Sequence, residues 1–218
     1  MLLASYVGTH SGYKGLGNIL IRLRLSGIKE ALRMKPYGGT ALRASHSELV
    51  FEPTDGVDKY MPDSTCQPDS EGRLWAVSST GTDILPSWSK RRAGKLGGVR
   101  FKRINFDDKT KWELTPIVET DTESTALFFN RVEGSMYDWQ AILGFIAKFI
   151  HDKADRRMCS EVVAEALNIP EASTIDPCKL QKIVKEIYAN YLVRQQEQSI
   201  KTSMLNIKQF FSGNKTNG

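Results

Sequence analysis

The sequence predicts an α+β fold in which one antiparallel sheet packs against helices, and three observations carry that expectation. Short strand-like segments, several of them alternating apolar and polar residues, fill the first 118 positions, whereas helical spacing dominates from residue 135 onward. The composition, 40% hydrophobic and 9% aromatic over 218 residues, is enough for a core of its own.

Residues 2–7 form a short apolar strand, followed by a loop punctuated by Gly8, Gly12, Gly15 and Gly17. No G-K-[ST] closes that run, so a turn explains it better than a phosphate loop. Residues 18–34 carry Ile19, Leu20, Leu23, Ile28 and Leu32 at helical spacing, with Gly27 as a break. Residues 44–51 form the next strand, and the Pro-, Asp-, Ser- and Gly-rich residues 53–72 a loop. Residues 73–79, 99–106 and 111–118 complete the sheet. Residues 137–150 form a buried helix, 159–167 a second stopped by Asn168 and Pro170, and 179–198 a third with Leu180, Ile183, Val184, Ile187 and Tyr191 on one stripe.

The apolar runs at 141–150 and 162–167 are too short for the roughly 30 Å of a bilayer core. The opening MLLASYVGTH lacks a basic region and a long apolar run, so the expected location is the cytoplasm, or the host cytoplasm or virion if the protein is viral. Three cysteines, Cys66, Cys159 and Cys178, give neither an even disulfide set nor a C-x-x-C zinc pair, so reduced thiols and no metal or cofactor are expected. The net charge is +5, and residues 86–112 hold nine Lys/Arg against two Asp. Such a run is usually a solvated face, and no base-reading motif accompanies it; nucleic-acid binding is the lesser reading.

Two motifs carry chemistry. In SHSELVFE, residues 45–52, His46 and Glu48 project from one face of a strand and Leu49 and Phe51 alternate with them. A carboxylate beside an imidazole raises its basicity and fixes its tautomer, as a general base requires. In RMCSEVVAEAL, residues 157–167, Cys159 stands where a loop becomes a helix. There the macrodipole favours thiolate, and free N–H groups can serve an oxyanion. Alone, the first motif is also an edge strand with a polar face and the second plain core packing. Among the other thiols, Cys66 sits near Asp63 and Asp69, which disfavour its thiolate, and Cys178 has no obvious base. His10 and His151 lie in no motif.

The two motifs, in this order and spacing, resemble the circularly permuted papain-like hydrolases related to the NlpC-type peptidases of bacteria, bacteriophages and poxviruses. SHSELVF at 45–51 and MCSEVVAEAL at 158–167 match the family's strand and helix motifs, as do GGVRFK at 97–102 followed by Trp112, YDWQAILGF at 137–145 and DPCKL at 176–180. Met158 departs from the family's usual Phe or Tyr. The resemblance implies a papain-like domain over residues 1–180, in which Cys159 is the nucleophile and His46 the base. Glu48 is the preferred orienter, with Ser78 or Ser79 on the adjacent strand as alternatives. It also implies a peptide, amide or acyl substrate and a cysteine peptidase, amidase or acyltransferase chemistry through an acyl-enzyme. An inactive viral binding protein of the same fold is the alternative. Residues 181–198 follow as a C-terminal helix. Residues 199–218 read as a basic, mobile tail whose MLNIKQFF (204–211) weakly resembles a sliding-clamp-binding peptide, so Phe210 and Phe211 are expected to meet a protein partner.

Overall fold

The computed structural model describes residues 1–8, 44–138 and 156–213, with backbone alone for Arg156 and 206–213. The expected glycine loop beyond Gly8, the helix at 18–34, residues 139–150 of the helix expected at 137–150, His10 and His151 lie outside the described residues, while Tyr137, the expected start of that helix, belongs instead to a two-residue strand paired with Arg156–Arg157.

Five strands form one antiparallel sheet: β1 (Leu2–Tyr6), β2 (His46–Val50), β3 (Leu74–Ile84), β4 (Leu96–Ile104) and β5 (Trp112–Pro116). Their order is β4-β3-β2-β1-β5. Three helices complete the described fold, α1 (Thr122–Val132), α2 (Cys159–Ala166) and α3 (Pro177–Gly213), and Met136–Tyr137 pairs in parallel with Arg156–Arg157 as β6 and β7. The architecture is therefore α+β, with helices packed on an antiparallel sheet.

Alternation explains how the core forms. Leu3, Leu49, Val77 and Phe101 are successive partners across four strands, so they share one face, which meets Phe129 of α1, Val162 and Val163 of α2, and Leu180 and Val184 of α3. The intervening residues Ala4, Val50 and Ala76 join a smaller cluster with Phe106. Each fully buried Leu, Val or Phe contributes about 1.5–3 kcal/mol relative to exposure, so the first cluster dominates.

Strand β3 runs past the expected end at residue 79, because Thr80, Thr82 and Ile84 keep it β-favouring up to the pair Ile84↔Leu96, across a register irregularity. Gly98 occupies this irregularity at φ +145°, where an added Cβ would stand 2.6 Å from the Ser135 carbonyl oxygen. That close approach lets the Val99 amide donate to Ser135 O at 2.9 Å, tying β4 to the segment that leads into β6. Gly98→Ala is expected to destabilise the fold by about 1–3 kcal/mol, read as a lower urea midpoint.

Helix α1 has no counterpart in the sequence reading. Asp121 caps it by accepting from the Glu123 and Ser124 amides, and Thr125, Ala126, Phe129 and Val132 are its buried residues. Helix α3 extends beyond the expected end at residue 198 and takes in Phe210 and Phe211, so the backbone there is helical and not a detached tail. The physical reason is that no glycine or proline interrupts the chain between residues 198 and 213. Near its start α3 is held to β5 by the Lys185–Glu113 ion pair and by Gln181, whose Nε2 donates to Glu113 at 2.8 Å.

Candidate active site

Strand alternation places His46 and Glu48 on the same face of β2, and the ring meets the carboxylate: His46 Nε2 donates to Glu48 Oε1 at 2.8 Å. Cys159 is the first residue of α2, and its sulfur lies near the same ring. The structure thus brings together all three residues that the two motifs proposed. Glu48 and Cys159 are 1% and 4% exposed, whereas the His46 side chain keeps 23%.

Met158 precedes α2 with an extended backbone, and its amide donates to Glu161 Oε2 at 3.0 Å, one half of a capping box. Helix geometry leaves the Cys159 amide, one position on, without an intrahelical acceptor. An oxyanion beside the sulfur would find this donor at the positive end of the helix. The approach is fixed from below by Ser79, whose Oγ donates to Arg157 O at 2.7 Å, and by Ser160, whose Oγ donates to Ile175 O at 2.6 Å.

The candidate orienters differ in what they touch. Ser79 is committed to Arg157, and Ser78 Oγ donates to Ser47 O at 2.5 Å, so both hydroxyls face carbonyl oxygens. Glu48 alone of the three meets the ring.

Behind Glu48 stands a group the sequence reading did not single out. Arg100 of β4 grips the carboxylate with both arms, Nη1 to Oε2 at 2.8 Å and Nη2 to Oε1 at 2.7 Å. The intervening strand places Ser78 opposite Arg100, and this short side chain leaves room for the guanidinium to reach across. Arg100 Nε donates to Asp83 Oδ2 at 3.1 Å, and Lys102 Nζ donates to the same oxygen at 3.0 Å. A chain of alternating charge therefore runs across the sheet from the ring, buried at its middle: His46, Glu48, Arg100, Asp83.

The electrostatics follow from this chain. Burial would raise the Glu48 carboxyl, but Arg100 and then His46 overcome it and hold Glu48 down at about 2. Burial likewise opposes a charged His46; the nearby Cys159 sulfur and Glu48 outweigh it and push the ring up to about 10. The Tyr137 hydroxyl is raised by burial and by the negative charge of Cys159 and Asp138, so it stays protonated beside the sulfur. Arg100, Asp83 and Tyr137 are the site residues that sequence reasoning missed.

The depressed Glu48 carboxyl gives a signed pH dependence. Its stabilisation is complete above the ordinary value of 4.5 and is lost as pH falls towards about 2. Between about pH 5 and 2.5 the wild-type urea midpoint is expected to fall more steeply than that of Glu48→Gln, by the uptake of up to about one extra proton.

The other thiols are enclosed differently. Cys66 is buried and pushed up to about 11 by that burial and by Asp58 and Asp55. Asp63 and Asp69, its expected neighbours, are engaged elsewhere: Asp63 with Arg103 and Trp75, Asp69 with Arg73. Cys178 is buried, and its thiol donates to Ala44 O at 3.1 Å. Among the described residues no cluster of three or more His, Cys, Asp or Glu is arranged to hold a metal ion. No helix among them is long and apolar enough to cross a membrane.

Searches for relatives return no matching family model, no matching curated protein and no matching solved structure.

Proposed function

We propose that this chain is a cysteine-dependent hydrolase or acyltransferase with a papain-like, circularly permuted NlpC-type active site. The observation that carries the reading is the His46 ring, set near the Cys159 sulfur and hydrogen-bonded to a buried, arginine-clamped carboxylate. With Nε2 committed to Glu48, Nδ1 is the nitrogen left to serve the sulfur. The nucleophile in such chemistry is a thiolate, and an adjacent imidazolium is the counter-charge it needs.

The Cys159 sulfur attacks the carbonyl carbon of an amide, ester or thioester, forming a C–S bond while the carbonyl π pair moves onto oxygen. The Cys159 amide is placed to receive that oxyanion. His46 then gives its proton to the departing amine, alcohol or thiol as the bond to carbon breaks, leaving an acyl-enzyme. Water, or an acceptor alcohol or amine, loses a proton to His46 as it attacks the thioester, and the thiolate leaves. Glu48 stabilises the imidazolium throughout and is not itself protonated, since Arg100 holds it ionised.

Iodoacetamide at near-neutral pH, read by mass spectrometry, tests the assignment. Cys159 is expected to be alkylated faster than Cys66 and Cys178 by at least about tenfold, and His46→Ala to remove that preference. Faster modification of Cys66, or a preference that survives His46→Ala, would overturn the reading.

A further inference from the structure

The hairpin that joins β3 to β4 has a surface that the Cys159 chemistry does not use. At its base Ile84 and Leu96 are register partners, so their side chains lie together, and they are 70% and 61% exposed. Trp88, in the connecting loop, is 43% exposed and is held edge-on to Trp75 at 6.3 Å between ring centroids, so its indole is fixed in place. Lys90, Arg91 and Lys95 are exposed in the same hairpin, while Arg92 braces the loop by donating to Leu96 O at 3.2 Å. No acidic residue occurs between Ile84 and Phe106. Among the described residues, Asp83 is bound by Arg100 and Lys102, and one oxygen of buried Glu133 accepts from the Lys90 amide at 3.1 Å.

We propose that this hairpin is a docking surface for an anionic lipid bilayer, with Trp88, Ile84 and Leu96 entering the headgroup boundary and Lys90, Arg91 and Lys95 meeting the anionic headgroups. Two exposed branched aliphatics beside an oriented indole gain from an acyl boundary, where Trp is favoured, and the hairpin's cations supply the attraction to negative lipid. A nucleic acid would use the cations and could stack on Trp88, but would leave Ile84 and Leu96 without a partner. A second copy of this chain would bring four cations of one loop against the same four of the other. The surface is independent of Cys159, so the docking stands or falls apart from the proposed catalysis.

Sedimentation with vesicles tests the proposal on the full chain carrying Cys159→Ala. Phosphatidylcholine vesicles doped with phosphatidylserine are expected to carry the protein down, neutral phosphatidylcholine vesicles to do so far less, and salt to release it. Lys90→Glu/Arg91→Glu/Lys95→Glu is expected to weaken binding by about fivefold or more per position. Ile84→Ser/Leu96→Ser, which touches only exposed side chains, is expected to weaken it by about tenfold while leaving iodoacetamide labelling of Cys159 unchanged in the parent chain. Absence of sedimentation, equal sedimentation with neutral vesicles, or vesicle binding indifferent to the Ile84/Leu96 pair and abolished by a single-stranded oligonucleotide would each overturn it.

Discussion

Glu48→Gln is expected to slow acylation of Cys159 by about 10²–10⁴-fold while leaving the protein folded. The amide keeps a similar shape opposite His46 Nε2, where the wild-type separation is 2.8 Å, but it carries no charge to stabilise the imidazolium that forms opposite the sulfur. It can also present its NH₂ group to the ring, which favours the wrong tautomer. The kinetics separate this from a packing defect: the second-order rate of Cys159 alkylation should fall and its pH dependence should shift, because the ring loses one of the two groups that raise it. A variant that alkylates Cys159 at the wild-type rate and with the wild-type pH profile would remove Glu48 from the site.

What the sequence could disclose of this arrangement tracks the range of the interactions. His46 and Glu48 were legible because strand period is two and needs no knowledge of partners; Cys159 was legible because a helix start has a local signature. Arg100 was not, although GGVRFK was noticed. Its meeting with Glu48 depends on the register of three strands, and that register is set by the loops between them and by the irregularity at Thr80/Ile84. The surroundings of Cys66 show the same limit. The aspartates nearest in sequence bind Arg103, Trp75 and Arg73, while the two short 3₁₀ turns at Pro53–Asp55 and Asp58–Tyr60 place Asp55 and Asp58 near the thiol.

Helix α1 went unread for a different reason. Its polar and β-branched first turn (Thr122, Glu123, Ser124, Thr125) has weak helix propensity, and its buried residues are few. The cap carried the available signal: Asp121 bonds the amides two and three residues on, an arrangement that D-x-E-S preceding Ala126 and Phe129 announces. For α3 the opposite error occurred. Polarity was read as the end of structure, whereas Ile200, Met204 and Leu205 remain exposed on a helix that continues regardless.

Arg100→Leu is expected to destabilise the protein by about 3–5 kcal/mol, read from urea unfolding at neutral pH. The guanidinium provides both bonds that hold the buried Glu48 carboxylate from below, and leucine leaves that charge with His46 alone. Arg100→Lys should lose less, yet not be neutral, since one ammonium cannot bond both Glu48 oxygens and also meet Asp83 in the forked geometry of arginine. The double variant Glu48→Leu/Arg100→Leu discriminates between a lost contact and an uncompensated charge. If the cost comes from the charge left behind, removing both partners should recover much of the stability while the reactivity of Cys159 stays low. Additive losses in the double variant would show instead that each side chain contributes by packing, and that the buried charges are not the reason this row of the sheet holds its shape.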